Sequence, residues 1–287
     1  MLLALLQSAS SIVILGTGTP NPDPERSGPA VAVVVNQTAY LVDAGPGVVR
    51  RAAQAAARYQ ITGLNAEQLG VVFLTHLHSD HTVGLPDVIH TGWVAERKAP
   101  LRLFGPAGTR DMAHHLTQAW SRDIRVRTEG AQPHTKQGWQ IDATDIRPGV
   151  VYRDSNVTVT AIPVGHTNWD EAFAYRFETP DRVFVISGDA VSTAAIADAC
   201  NGCDILVHEV YSFERWKTIP ADWQRYHAGS HTSTVELAAL ARRARPRLLV
   251  LYHQLYWGTS DEDLLKEVRE AGYEGPTLSA TDLLRLP

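Results

Sequence analysis

One short segment, residues 75–81 with the sequence THLHSDH, constrains this chain more than any other. Four of its side chains can bind a metal ion: His76, His78, Asp80 and His81. The segment directly follows the apolar run 71–74, which has the pattern of a buried strand. Imidazole nitrogens and carboxylate oxygens are ligands that suit zinc and its first-row neighbours. The segment therefore predicts a metal site at a strand end, and so many ligands in one place indicate two adjacent ions.

The chain has 287 residues, of which 44% are hydrophobic and 20% charged, which is typical of a globular protein with a sizeable core. No low-complexity linker divides it, so residues 11–287 are predicted to form a single domain. Residues 1–10 begin with a short apolar run and no basic residue, and we interpret them as a truncated signal segment or an extra strand. The expected location is the cytoplasm, or the periplasm or exterior if that segment is the remnant of a signal.

Apolar strand patterns and helical patterns alternate along the chain, which predicts an α/β fold. Strands are expected at residues 11–15, 30–35, 39–42, 71–74, 101–104, 157–162, 172–177, 183–187, 205–207 and 248–251. Helices are expected at residues 48–59, 86–97, 109–120, 191–199, 232–243 and 261–271. Asn36 and Gln37 have the character of a hairpin turn between two of these strands.

Three later residues complete a candidate site, because each closely follows an apolar strand. They are His166, Asp189 and His253. Ligands at strand ends are held by a rigid scaffold and remain accessible. Any one of them alone would more simply be a packing or turn residue. As a set, they are candidates for the further ligands that a site for two ions requires.

Together these segments, with LVDAG at residues 41–45 and SGD at 187–189, resemble the metallo-β-lactamase superfamily over nearly the full chain. The resemblance implies a four-layer αββα sandwich with two divalent ions at one edge of the central sheets. Zinc is the favoured metal, with manganese or iron as alternatives. The implied ligands are His76, His78 and His166 on one ion, Asp80, His81 and His253 on the other, and Asp189 bridging both. Asp43 would be a buried carboxylate that supports the ligands.

Within that superfamily the chain is most similar to the ribonuclease Z and arylsulfatase-like branch. The residues that carry this similarity are LGTGTP at 15–20, VHEV at 207–210 and SHTS at 230–233. By this resemblance Glu209 orients His231, which acts as an acid or as a donor to developing charge. Asp80 would also orient the attacking water. The pair Val210 and Tyr211 stands where the family usually has Ala-Thr, which is a departure from its pattern.

Two features of the sequence argue against RNA as the substrate. The net charge is -5, so the chain has no overall basic field. Ribonuclease Z enzymes usually carry an inserted arm between the third histidine motif and the bridging aspartate, and residues 166–189 leave no room for one. We therefore expect that nucleic acid is not the main substrate. We also expect that the protein does not associate with membranes and that it forms a homodimer.

The predicted function is hydrolysis of a small phosphate diester or triester, or of an aryl sulfate ester, by metal-activated hydroxide. Three alternatives stay open: a lactonase or β-lactamase-like acyl hydrolase, a tRNA 3′-processing endoribonuclease, and a non-catalytic metal-binding scaffold. Some aromatic residues are expected to wall a substrate pocket, although packing should explain at least half of them. The candidates are Trp93, Trp169, Tyr211, Trp216, Trp223, Tyr226, Tyr256 and Trp257.

The only two cysteines, Cys200 and Cys203, form a C-x-x-C pair. No second cysteine pair is present to complete a zinc site. The intervening Asn201 and Gly202 suggest a turn between a helix and a strand. A structural or incidental pair is therefore favoured over a redox motif, and a local disulfide is possible if the protein is exported.

Overall fold

Two seven-stranded β-sheets form the centre of the molecule. The computed structural model describes residues 10–131 and 136–287, so the segment interpreted as a signal or extra strand lies almost wholly outside the described residues. The strands of the first sheet are β1 (Ser10–Gly16), β2 (Ala30–Val35), β3 (Thr38–Val42), β4 (Val71–Phe73), β5 (Leu101–Gly105), β6 (Ile141–Asp145) and β14 (Arg285–Leu286). Those of the second are β7 (Gly149–Arg153), β8 (Thr158–Val164), β9 (Ala172–Glu178), β10 (Val183–Ile186), β11 (Ile205–Tyr211), β12 (Leu248–Leu255) and β13 (Thr277–Ser279).

Helices lie between the strands along the chain. They are α1 (Val48–Tyr59), α2 (Ser79–Thr82), α3 (Leu85–Val94), α4 (Thr109–Ala119), α5 (Ser121–Glu129), α6 (Ala194–Cys200), α7 (Phe213–Trp216), α8 (Ala221–Ser230), α9 (Thr234–Ala244) and α10 (Asp261–Glu270). Among residues 10–131 and 136–287, no helix combines the length and apolar character needed to cross a bilayer.

The two sheets repeat one pattern of strand directions. Their spatial orders are β14-β1-β2-β3-β4-β5-β6 and β13-β12-β11-β10-β9-β8-β7. In the first sheet β1, β2 and β3 pair antiparallel, while β3 to β6 pair parallel. In the second, β7 to β10 pair antiparallel and β10 to β13 parallel. Parallel neighbours need crossovers, and these crossovers place helices on the outer faces.

Three apolar clusters hold the layers together. The central cluster joins the facing sheets, and within it the rings of Phe73 and Tyr175 lie 5.5 Å apart. A second cluster packs α1 and α3 onto the first sheet, and a third packs α6, α9 and α10 onto the second. The order of layers is therefore helix, sheet, sheet, helix, which confirms the predicted αββα sandwich.

Local sequence explains several of the element boundaries. Asn36 and Gln37 both have positive φ angles, 48° and 67°, as a tight hairpin between twisted strands requires. Helix α6 begins at Ala194, three residues later than predicted, because the Thr193 side chain accepts the Ile196 amide as its N-cap. At its other end a disulfide joins the buried Cys200 and Cys203, outside the cavity described below.

Candidate metal centre

The structure brings together one group of side chains from three different chain segments. His76 and His78 come from the loop after β4, His166 from the loop after β8, and Asp189 from the loop after β10. The Nδ1 atom of His78 lies 2.9 Å from Nε2 of His76 and 3.2 Å from Nε2 of His166. Potential ligand atoms of all four residues lie within 4.8 Å of one another. This spacing suits a single ion held between them.

A second group lies on the other side of Asp189. It consists of Asp80, His81 and His253. Nε2 of His253 lies 3.3 Å from Oδ2 of Asp80 and 3.6 Å from Oδ1 of Asp189. Nε2 of His81 lies 3.1 Å from the same Asp189 oxygen, whose partner oxygen Oδ2 is 3.9 Å from His76. Asp189 therefore presents one oxygen to each group.

Buried atoms at the junction fit bound cations. Within the part of the chain that the structure describes, Nε2 of His81 and Oδ1 of Asp189 are buried and lie 3.1 Å apart without a well-aligned hydrogen bond. Buried polar atoms are almost always satisfied, and a cation beside these two atoms would satisfy both. Imidazoles and carboxylates converging in two adjacent groups match the donor set of a binuclear metal site.

Asp43 and Thr75 orient two of the histidines. Asp43 follows β3 with a φ of 63° and accepts the backbone amide of Thr75 at 2.8 Å. Nδ1 of His81 donates to Asp43 at 2.8 Å, and Nδ1 of His76 donates to the Thr75 hydroxyl at 3.0 Å. These bonds place the ring protons on Nδ1, which leaves Nε2 of both histidines available as a ligand.

Helix α8 and a bend in β12 position two further histidines. Nδ1 of His166 donates to the carbonyl of Ser230, the last residue of α8, at 2.7 Å. His253 lies inside β12 rather than after its strand, with a φ of 45°. The pairing passes from Tyr252 to Gln254 without using His253, so this residue is a β-bulge whose side chain is turned toward the site.

Burial and neighbouring charges shift the pKa values of Asp189 and His81 in opposite directions. Burial favours the neutral form of Asp189, but His253 and His81 hold the pKa of its carboxyl well below the ordinary range. Burial also disfavours a charged His81, yet Asp189 and Asp43 raise the pKa of that imidazole well above its usual value. Without metal, the Asp189 carboxylate is therefore charged and is balanced by neighbouring imidazoles, a balance that a bound cation could take over.

Glu209 and His231 lie at the edge of the centre. Nδ1 of His231 is 3.4 Å from Oε1 of Glu209 and 3.8 Å from Oδ2 of Asp189. The same Glu209 oxygen accepts the backbone amides of Thr232 at 2.9 Å and Ala190 at 3.3 Å, so Glu209 holds the segments beside both His231 and Asp189. Burial lowers the pKa of His231 to about 4, which makes its ring neutral at neutral pH.

A cavity of about 540 Å³ opens beside the two groups and is lined by Asp80, Asp189, His231 and His253. Three of the eight candidate aromatic residues line it, namely Trp223, Tyr226 and Trp257. The others include Trp93, which is fully buried in the fold, and Trp169, whose indole donates to Nε2 of His78 at 2.9 Å.

Sequence reasoning missed His227 of the cavity wall, the Thr75 hydroxyl and the Ser230 carbonyl. Thr75 belongs to the motif at residues 75–81 and Ser230 to the motif at residues 230–233. Neither motif indicates which hydroxyl or carbonyl will hold a histidine ring in place. His227 has no motif around it. It becomes recognisable only once α8 is placed beside the ligands.

Comparison with known proteins identifies the class. A family model described as a beta-lactamase superfamily domain matches residues 38–254. The chain belongs to the metallo-β-lactamase superfamily and is a hydrolase of that fold. Among its relatives is the ribonuclease Z of Mycobacterium bovis, 33% identical over 279 residues that cover 96% of this chain and 97% of that protein.

Solved structures agree on the fold. The metallo-β-lactamase fold protein YhfI from Bacillus subtilis has a TM-score of 0.72 at 18% identity, covering 96% of this chain and 98% of that one. The short form of human tRNase Z has a TM-score of 0.70 at 20% identity, also covering 96% of this chain and 98% of that one. At such identities the likeness describes architecture.

These relatives correct two predictions. The prediction of a small phosphate or sulfate ester as the substrate, with nucleic acid unimportant, is contradicted by curated relatives named ribonuclease Z. The missing arm does not separate this chain from them, because the alignment covers 97% of the Mycobacterium bovis protein and leaves no room for a long arm there either. Net charge is also a weak criterion, since it averages over a surface of which a substrate touches only part.

Proposed function

We propose that this protein is a binuclear metal-dependent endoribonuclease that cleaves precursor tRNA at its 3′ side. The observation that carries the substrate is the 33% identity, over nearly the whole of both chains, to a protein named ribonuclease Z. The chemistry is supported by the two adjacent groups of imidazole and carboxylate ligands.

In this proposal His76, His78, His166 and Asp189 would hold one ion. Asp80, His81 and His253 would hold the second, with Asp189 lying between the two groups. Zinc suits this set best because most of the ligands are imidazoles, while manganese and iron are compatible with it. Bound there, two divalent ions would lower the pKa of water toward neutrality and offset the charge on a phosphate.

The remaining side chains would orient the reactants. Asp80 lines the cavity, and although burial opposes its charge, the hydrogen bond from His253 keeps the pKa of its carboxyl below the ordinary value. It can therefore accept a hydrogen from the attacking water and aim it at phosphorus. His231 turns Nδ1 toward Glu209 and Asp189, which leaves Nε2 to face a ligand. As a neutral ring it would donate a hydrogen bond to a non-bridging or leaving oxygen.

Glu209 would position His231 rather than touch the substrate. Burial and the charge of Asp189 raise the pKa of Glu209 well above its usual range, which favours its protonated form. Oε1 of Glu209 accepts the amide of Thr232, the residue next to His231, and lies 3.4 Å from Nδ1 of the His231 ring, so Glu209 would hold this ring beside the cavity.

The test compares cleavage of a precursor tRNA carrying a 3′ extension with hydrolysis of p-nitrophenyl phosphate, sulfate and acyl esters. The metal-loaded protein should cut the RNA at the 3′ side with a kcat/KM above that for any small ester. His231→Ala should lower kcat about a hundredfold while metal content is unchanged. His115→Ala, at an exposed position on α4, is the matched control. Intact RNA alongside rapid ester hydrolysis would refute the proposal.

A further inference from the structure

The cavity beside the metal centre has two chemically different sides. One side carries the polar residues Asp80, Asp189 and His231. The other side adjoins it at His231 and is apolar and aromatic, and most of it comes from α8 and the residues just before it, including Ile219 and Trp223. A substrate with its scissile group at the polar side must extend its neighbouring group along the aromatic side.

The rings on the aromatic side are partly exposed to solvent, and other rings pack against them. Trp223 is 54% exposed and Tyr226 is 37% exposed. The ring of Trp223 stacks on His227 with centroids 5.7 Å apart and planes at 25°. Trp257 supports His227 from another side, with ring centroids 4.6 Å apart. Exposed rings held rigidly beside a reactive centre are typical of a surface that binds a flat apolar group.

Charge indicates how this side recognises a ligand. Among the described residues that line the cavity, none is a lysine or an arginine. Additional phosphates of an RNA chain would therefore find no cationic partner here. Nucleobases, in contrast, offer π-faces that stack on aromatic side chains irrespective of sequence. A cavity of about 540 Å³ lies within the range that accommodates a group of nucleoside size.

We propose that Trp223 and Tyr226, supported by His227 and Trp257, form a stacking subsite for the nucleobase next to the scissile phosphate. This inference rests on the proposed function, in which the substrate is RNA. The subsite lies on the His231 side of the centre, since the ring of His231 is 5.5 Å from that of His227 and 6.3 Å from that of Tyr226. If His231 faces the leaving oxygen, the stacked base belongs to the nucleotide that carries this oxygen.

The first experiment measures kcat/KM on precursor tRNA and on the same RNA with an abasic nucleotide on the leaving side of the cleavage site. Trp223→Ala should lower kcat/KM on normal RNA roughly ten- to a hundredfold, mainly through KM, and Trp223→Phe should restore most of it. Removing the base should lower the kcat/KM of the wild type by a similar factor and should lower that of Trp223→Ala little further. Trp120→Ala, at an exposed tryptophan between α4 and α5, is the control and should match the wild type.

Two outcomes of that experiment would overturn the subsite. One is a Trp223→Ala variant that cleaves normal RNA as fast as the wild type. The other is a Trp223→Ala variant whose kcat/KM falls as much as that of the wild type when the base is removed, which would mean that the base is recognised elsewhere.

A second experiment separates this inference from the proposed function. Binding of 3′-AMP and of ribose 3-phosphate, whose phosphate is linked through the 3′ oxygen as on the leaving-side nucleotide, to the zinc-loaded protein is measured by titration calorimetry. 3′-AMP should bind at least about tenfold more tightly than ribose 3-phosphate to the wild type, and equally to Trp223→Ala. Equal binding by the wild type overturns the subsite whatever the RNA result. Preference for 3′-AMP by a protein that leaves RNA intact would refute the proposed function and support the subsite.

Discussion

Oδ1 of Asp189 lies 3.1 Å from Nε2 of His81, while its other oxygen faces His76 at 3.9 Å. One carboxylate thus serves both ligand groups, so its loss should affect both ions. Asp189→Asn should reduce bound metal from about two ions per chain to less than one, whereas His253→Ala should retain about one. Elemental analysis after desalting measures this, with the exposed His115→Ala as control. An Asp189→Asn protein that keeps two ions would show that this residue is not shared.

Asp43 should set metal affinity without touching metal. Its Oδ2 accepts the Nδ1 proton of His81, and its Oδ1 accepts the amide of Thr75. In Asp43→Asn an NH₂ group replaces one carboxylate oxygen. This N–H donor would then face either Nδ1 of His81 or the amide of Thr75, both of which are donors themselves. Loss of such a supporting partner typically weakens metal binding about ten- to a hundredfold. Competition against a coloured chelator measures the affinity, and an unchanged value would mean that the His81 ring is held by packing alone.

His208 should make the metal-free protein acid-sensitive. This residue is fully buried, and burial lowers its pKa to about 4. Below the ordinary pKa of 6.5, His208 binds a proton in the unfolded chain but stays neutral in the folded chain. The free energy of unfolding therefore falls as pH decreases from 6.5 toward 4. At pH 4.5 the loss from this group is about 2.5 kcal/mol.

Denaturant titrations at pH 7 and pH 4.5 test this effect in the presence of a chelator. His208→Gln keeps a polar side chain but removes the titrating group, so its loss of stability over this interval should be smaller than that of the wild type by about 2.5 kcal/mol. Equal losses in the two proteins would show that His208 is protonated in the fold.

The disulfide between Cys200 and Cys203 should stabilise the fold modestly and leave cleavage unchanged. It closes a loop with a sequence separation of only 3, at the junction of α6 with β11. Loop-closure entropy for so short a loop gives about 2 kcal/mol. Replacing both cysteines by serine should lower the free energy of unfolding by this amount, and reductant should lower only that of the wild type. A large loss of cleavage in the double variant would contradict a purely structural role.

Much of the fold was predictable because local and global signals agree. The alanine-rich helix α1 begins and ends at the predicted residues 48–59, and the turn at Asn36 and Gln37 joins the predicted hairpin. The gathering of the candidate ligands at one edge of the sheets was expected from the resemblance to the metallo-β-lactamase superfamily. The helix and the turn depend on short-range pattern, which a sequence displays.

Other features depend on contacts that no local pattern reveals. Helices α7 and α8 were not predicted, because residues 213–230 mix aromatic and polar residues without a clear helical period. His253 was expected after its strand and instead forms a bulge within it, since the bulge arises from pairing with β11. The tRNA-processing function stood only as an alternative because the acidic net charge and the missing arm argued against RNA. The arm does not separate this chain from a relative named ribonuclease Z, and net charge averages over the whole surface.

A metal titration of the stripped protein, followed by cleavage of precursor tRNA, tests the proposed metal-dependent cleavage. Zinc is added in increments, and the products are mapped to single-nucleotide resolution. Cleavage at the 3′ side should be absent without metal and should rise until about two ions are bound per chain. Cleavage that persists in chelator, or RNA that stays intact with both ions bound, would contradict this proposal.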